Sequence, residues 1–289
     1  MNVQITGLNN YLARNVARCL FDEGHKVSCL VRNKKLFKTY WREIKDMSIV
    51  EGDLFRGTLP TDLNPATQVA FYFNQTPINE MGMRMEMDLI ALQRYIKALQ
   101  HTACYHLIYV TKLADENVEV IRKYLGRSGI AYTLVRISNI IGKGSALMNI
   151  LSALAKSKLV LLPREFATSR CQPIHLSDVC AYLNKIIGDT DAFSKMFDVG
   201  GPEVMTYKEA FERYMDITKL KKKVLALPGL SKPMSFLLGR YVYKFEQDVA
   251  AAFNVYMRKD LVAGNHELNE LYPTVVLSSY GTAVQDALL

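Results

Sequence analysis

The strongest constraint on this chain is an alternation. Over the first 140 residues, short apolar runs alternate with segments of helical periodicity. Residues 2–6 (NVQIT), 26–31 (KVSCLV), 48–50 (SIV), 68–73 (QVAFYF), 105–110 (YHLIYV) and 131–136 (AYTLVR) read as strands. Residues 11–23, 84–100 and 115–128 read as helices, the first with Leu12, Val16, Cys19 and Leu20 on one face. A basic helical segment with Trp41 follows the second strand. Strands that are apolar on both faces need helices on both sides of their sheet. The expectation is an α/β fold with a parallel, doubly wound sheet.

Right-handed crossovers make such a sheet Rossmann-type, with ligands held at the carboxyl ends of the strands. The second half is less regular. Leu147, Ile150, Leu151 and Leu154 mark a helix within 145–157, Leu159–Pro163 a strand, and Val179, Tyr182, Leu183, Ile186 and Ile187 another helix. Thr206 with Glu209 fits a capping box before a helix at 207–216. A Pro/Gly/Ser-rich break at 228–233 precedes an aromatic stretch holding Phe236, Tyr241, Tyr243, Phe245, Phe253 and Tyr256. That stretch is either the core of a cap or an apolar substrate wall. A dinucleotide-binding core at 1–150 and a substrate or cap region at 151–289, interleaved with and packed on it, are expected.

Composition narrows the class. The chain has 289 residues, 49% hydrophobic and 22% charged, which excludes a disordered chain or a fibre. No apolar run approaches the ~18 residues of a membrane span. The opening MNVQITG is not a basic region followed by an apolar stretch, so no secretory leader is expected. Cys19, Cys29, Cys104, Cys171 and Cys180 are odd in number, widely spaced and without CxxC, which argues against a disulfide framework or a zinc site and for a reducing, cytoplasmic setting. The net charge of 36 − 28 = +8 raises nucleic acid or an anionic membrane surface as partners. The densest run, Lys219, Lys221, Lys222 and Lys223, reads as a solvated loop; no nucleic-acid motif accompanies it and no nucleic-acid partner is expected.

The first strand–helix turn is Thr6-Gly7-Leu8-Asn9-Asn10-Tyr11-Leu12-Ala13. A dinucleotide site needs glycine here for a tight turn and for close approach of pyrophosphate to backbone N–H groups. Gly7 takes the first position, Asn10 stands where a second glycine would be, and Ala13 takes the third. Asparagine tolerates positive φ, but its side chain competes for the phosphate's space. Gly7, Asn10, Tyr11 and Leu12 are the candidates for this turn; the alternative is a turn that binds nothing. The second strand ends in Val31-Arg32-Asn33-Lys34-Lys35, with cations where a NAD site places a ribose-binding acid. Arg32 and Lys35 suit a 2′-phosphate, or else an exposed basic helix start. After the third strand, Asp53 and Leu54 are placed to meet adenine, although Gly-Asp is also ordinary turn chemistry. Phe73 and Asn74 end the fourth strand at the ligand edge, with Gln75 and Thr76 beyond them.

Together these pieces resemble the extended or atypical short-chain dehydrogenase/reductase superfamily, in its NmrA-like branch. Its TGxxGxxG turn is degraded at Thr6–Ala13, its V-R-basic element is Val31–Lys35, and its G-D-L is Gly52–Leu54. Two longer segments are similar to the NAD(P)-binding group labelled nucleoside-diphosphate-sugar epimerase: Arg170-Cys171-Gln172-Pro173-Ile174, and Asp198-Val199-Gly200-Gly201-Pro202 through Thr206-Tyr207-Lys208-Glu209. Leu271–Leu288 is similar to its closing segment. The resemblance implies a Rossmann core, a small C-terminal substrate region, and NADP or NAD in the groove. It leaves the reaction open.

Reductases and epimerases of that superfamily use a Tyr-x-x-x-Lys pair, with a Ser or Thr after the fifth strand. Thr111 fills the last role and is the catalytic candidate. Counting back from Ser128-Gly129, the tyrosine position falls on Ala114 and the lysine position on Val118. Substitutes near the groove are Tyr105, which also reads as core, Lys112, which also reads as a solvated charge, and His175, a lone histidine that no base or metal pairs. Met81, Met83, Met85 and Met87 read either as a greasy pocket or as helix core. No HExxH, GxSxG or P-loop is present, and no metal is expected. Two readings remain. One is an NADP-preferring oxidoreductase or epimerase on a small carbonyl or sugar-nucleotide substrate. The other is a non-catalytic dinucleotide sensor or assembly factor with a protein partner or a second copy.

Overall fold

A computed structural model gives the fold; it describes all residues except 41–45, 57–61, 75–82, 158, 228–233, 235–236 and 257–259. The six apolar runs become β1 (Asn2–Thr6), β2 (Lys26–Val31), β3 (Ser48–Glu51), β4 (Val69–Phe73), β5 (His106–Lys112) and β6 (Ala131–Ile137). Later strands are β7 (Ile140–Ile141), β8 (Val160–Pro163), β9 (Arg170–Cys171), β10 (Ile174–His175), β11 (Lys195–Val199), β12 (Met205–Thr206) and β13 (Val224–Leu227). The helices are α1 (Tyr11–Asp22), α2 (Lys34–Tyr40), α3 (Met83–Leu99), α4 (Val118–Leu125), α5 (Ala146–Lys156), α6 (Arg164–Thr168), α7 (Leu176–Ile186), α8 (Tyr207–Ile217), α9 (Gln247–Tyr256), α10 (Glu267–Leu271) and α11 (Tyr280–Leu288).

Seven strands form one sheet in the order β3-β2-β1-β4-β5-β6-β11, and every pairing within it is parallel. The strand order reverses between β1 and β4, so the crevice for a ligand opens there. β4 shows why the alternation dictates this fold. All five of its residues are fully buried. Phe71 and Phe73 point into the layer with Val16 and Leu20 of α1 and Leu183 of α7, while Tyr72 points into the opposite layer with Tyr95 of α3 and Ile121 of α4. The Tyr72 and Tyr109 rings stack at 5.5 Å, a contact worth about 1 kcal/mol beyond its area. Helix α4 is shorter than its periodicity suggests, because Asp115 Oδ1 accepts the Asn117 N–H and closes a turn ahead of it.

A further core forms from α5, β8, α6, α8, α9 and α11, with Leu151, Leu162, Phe166, Phe211 and Tyr280 inside. Tyr243, Phe245 and Phe253 lie in it with Tyr256 packed against it, so these aromatics are core; Tyr241 is 72% exposed, and Phe236 lies outside the described residues. The capping box at Thr206 and Glu209 is formed in both directions. Trp41, Met81 and the 228–233 break also lie outside the described residues. All five cysteines are free, and among the described residues no helix is long and apolar enough to cross a membrane.

β11 joins the second half to the sheet. Asp198 on it receives two hydrogen bonds from Arg136 on β6, at 2.6 and 2.7 Å, and accepts the Gly264 N–H at 2.9 Å. Only 2% of the Asp198 side chain is exposed, so cutting it away strands the Arg136 cation. Asp198→Ala should cost about 3–5 kcal/mol, read as a lower midpoint in urea unfolding.

Candidate functional site

The carboxyl end of β1 is set by Gly7. Its φ is +85°, and a Cβ there would stand 2.6 Å from the Phe73 carbonyl oxygen and 2.8 Å from the Phe73 Cβ. No other residue type fits without moving β4. The turn closes with Asn10 N–H donating to Gly7 O at 2.8 Å. Asn10 does not take positive φ. It is the N-cap of α1 at φ −78° and ψ 136°, extended backbone. Its Oδ1 accepts the Leu12 N–H at 2.9 Å, and its Nδ2 donates to the Asn74 carbonyl at 3.3 Å. The amide thus takes a donor that a phosphate would use at a helix N-terminus. Arg14, unnoticed in the sequence, braces the turn by donating to the carbonyls of Leu8 at 3.1 Å and Asn9 at 2.9 Å.

Beside this turn lies a cavity of about 490 Å³, lined by residues 6–9, Arg32, Asp53, Leu54 and Phe55 among others. Three neighbouring strand ends, those of β1, β2 and β3, therefore bring Gly7, Arg32, Asp53 and Leu54 together. The exposed Arg32 guanidinium sits 5.8 Å from the Phe55 ring centroid. Asp53 is turned on its own loop, with Oδ1 accepting from Phe55 N at 2.9 Å and Arg56 N at 3.1 Å. Arg94 of α3 fixes that loop through the carbonyls of Leu54 and Phe55, at 2.8 and 2.7 Å. This clamp comes from about 40 residues away, so no local motif announces it. Lys35 is exposed in the first turn of α2, outside the cavity lining.

The remaining candidates sit differently. The Phe73 side chain is fully buried against Phe71, so only its backbone reaches the ligand edge. Leu12 is 6% exposed, and its N–H is held by Asn10. The Tyr11 hydroxyl is buried against Gly142 with no partner among the described residues, and burial pushes its pKa up to about 12. A Cβ at Gly142 would meet that hydroxyl at 2.5 Å, so a side chain there would have to displace the Tyr11 ring. Thr111, at the end of β5, donates its hydroxyl to Asp115 Oδ2 at 2.6 Å, and Asn74 Nδ2 donates to the same carboxylate at 3.3 Å. Asp115 was not read as a site residue, yet it is the acceptor that orients the Thr111 hydroxyl.

Three expectations need correction. Tyr105 is 40% exposed rather than core, and it stands before β5 against Met1 and Gly188, at the edge opposite the groove. His175 is not alone: Ser177 Oγ lies 2.7 Å from Nδ1, and Asp286 of α11 lies 3.1 Å from Nε2, fastening α11 to the start of α7. Met87 is 44% exposed, so it is not helix core. Lys112 is exposed, and Gln75 and Thr76 fall outside the described residues. Ala114 and Val118 are 7% and 6% exposed. Ala114 packs with Val255 and Leu261 from the second half, filling the place read for the tyrosine. Asn10→Ala should cost about 1 kcal/mol of stability by denaturant titration, the usual worth of an N-cap side chain.

Comparison with known proteins fits this geometry. No family model matches the chain. Photosystem II assembly factor Ycf39 of Guillardia theta is 26% identical over 148 residues, which is 48% of this chain and 46% of that protein, so the chain spans less than half of its relative. Among solved structures, a nucleoside-diphosphate-sugar epimerase from Staphylococcus aureus is 16% identical, with a TM-score of 0.72 and coverage of 99% of this chain and 100% of that one. The triphenylmethane reductase of Citrobacter sp., complexed with NADP(H), is 13% identical, with a TM-score of 0.70 and coverage of 99% and 100%. The chain has the Rossmann-type fold of these solved structures along nearly its whole length.

Proposed function

We propose that this protein binds a nicotinamide dinucleotide across the switch point between β1 and β4, with preference for the 2′-phosphorylated form. The carrying observation is the convergence of the Gly7 turn and Arg32 on one cavity of about 490 Å³. Gly7 supplies close backbone approach, and the first turn of α1 supplies the positive end of a helix. Arg32 supplies a planar cation for a phosphate, and no acid stands at the end of β2 to claim ribose hydroxyls. Asp53, occupied by its own turn, shapes the adenine end through the loop it closes. When bound, the dinucleotide supplies hydride chemistry. On a small carbonyl or sugar-nucleotide substrate, Thr111 would lie beside the reacting oxygen, its hydroxyl oriented by the hydrogen bond it donates to Asp115 Oδ2, and the proton for that oxygen would come from water, because Ala114 and Val118 stand where the Tyr–Lys pair is read.

A second reading, a dinucleotide sensor or assembly factor without turnover, has its own support. Ala114 and Val118 are buried where the proton-transfer pair is read, and Asn10 takes the Leu12 N–H. Similarity to an assembly factor over part of the chain points the same way. A soluble or cytoplasmic setting and a protein partner remain part of this proposal.

Nicotinamide fluorescence titrations test both readings. Arg32→Ala should weaken NADPH binding roughly tenfold or more, a lost charge-assisted phosphate contact, and leave NADH nearly unchanged. Equal losses for both dinucleotides would remove Arg32 from the phosphate site. Asn10→Gly frees the Leu12 N–H at a cost of only about a few tenths of a kcal/mol in capping, so it should tighten NADPH binding. Binding without oxidation of NADPH across a carbonyl panel would favour the sensor.

A further inference from the structure

Between Asp216 and Glu246 the chain carries seven cations and no acid, nearly matching the whole net charge of +8. The groove uses none of them. The described part of this stretch also exposes large apolar side chains: Leu225 at 50%, Leu237 at 49%, Tyr241 at 72% and Val242 at 54%. Exposed lysines at 219, 221 and 223 flank Leu225, and exposed Arg240 and Lys244 flank Tyr241 and Val242. The ion pairs of the described residues include none of these five cations.

The two halves of this surface meet across β8. β13 pairs with one edge of β8, placing Leu225 beside Leu161. From the other edge, the Tyr243 hydroxyl accepts the Leu161 N–H at 2.8 Å and donates to the Leu161 carbonyl at 2.6 Å. Leu159, 44% exposed, extends the seam. Tyr243 and Phe245 are anchored in the cap core, Gly239 lets the Phe245 ring approach, and Arg240 Nη1 donates to the Phe245 carbonyl at 2.9 Å. The turn that presents Tyr241 and Val242 to water is thus held from beneath. Apolar side chains fixed outward and ringed by cations are the make-up of a surface that lies on a membrane. We propose that this face of the cap docks on an anionic lipid bilayer, its lysines against the headgroups and Tyr241 and Val242 in the interface. Charge complementarity selects that partner. Two copies meeting through this face would oppose their own lysines, and the aliphatic tips Leu225, Leu237 and Val242 give nucleic acid no hydrogen-bonding edge. The proposal is independent of the dinucleotide groove.

The test is co-sedimentation of the full chain with vesicles of equal parts phosphatidylcholine and phosphatidylglycerol, and with phosphatidylcholine alone. Binding is expected to the anionic vesicles only and to be lost in molar salt, where the screening length is about 3 Å. Two variant sets separate the parts: Lys221→Glu with Lys222→Glu and Lys223→Glu, and Tyr241→Ser with Val242→Ser. Each should cut the bound fraction roughly tenfold, with unchanged circular dichroism. No sedimentation with anionic vesicles, equal sedimentation with neutral ones, or binding untouched by either variant set overturns the proposal. So does self-association, or capture of a single-stranded oligonucleotide, that the Tyr241 and Val242 substitutions abolish while vesicle binding stays.

Discussion

The Cβ that Gly7 lacks would stand 2.6 Å from the Phe73 carbonyl, and much of the candidate site follows from that contact. β1 and β4 are neighbours in register, Thr6 beside Tyr72, so the chain leaving β1 must turn over the end of β4 at once. Only a residue without a side chain, at φ +85°, can do so and still deliver Tyr11 into the first turn of α1. The N-terminus of α1 then faces the strand ends at the point where the strand order reverses. Arg32 and the loop after β3 face the same space because β2 and β3 are the next strands outward. One steric exclusion therefore aligns a helix terminus, a cation and a cavity.

Asn10 sets how freely that terminus can serve a ligand. Its side chain holds the Leu12 N–H and reaches to the Asn74 carbonyl, so the apo chain satisfies its own helix end. A neutral N-cap is worth about 1 kcal/mol, whereas a charged phosphate oxygen makes hydrogen bonds roughly twice as strong. On the proposed reading, a phosphate oxygen would have to displace the amide, and the affinity would be lower than at a glycine turn.

The sheet was legible because parallel strands announce themselves: β4 is buried on both faces, and its sequence is apolar at every position. The Gly7 turn and the place of Arg32 beside it were legible for the same local reason, since both lie within a few residues of a strand end. What stayed hidden depends on long-range pairing. Arg94 reaches the carbonyls of Leu54 and Phe55 from another helix, and Asp286 reaches His175 across 111 positions. Asp115 stood only as the first residue of the helix read at 115–128, and it is β4 and β5 that bring Asn74 and Thr111 to it. Tyr105 misled because it adjoins an apolar run, yet it stands just outside β5 at the edge away from the groove.

Ala114 carries the last step. It is not merely a position without a hydroxyl; it lies under Val255 and Leu261, and Leu261 is itself tied down by three partners. Its carbonyl accepts from Ser138 Oγ at 2.8 Å and from Gln172 N–H at 3.1 Å, and its N–H donates to Arg170 O at 2.8 Å. A tyrosine ring at 114 would need the volume that these apolar side chains fill, and overpacking of that kind costs about 1–3 kcal/mol or displaces the segment. The residue type at 114 and the course of the chain through 261 are thus one packing solution. Val255 and Leu261 thus fill the space that a tyrosine ring at 114 would require.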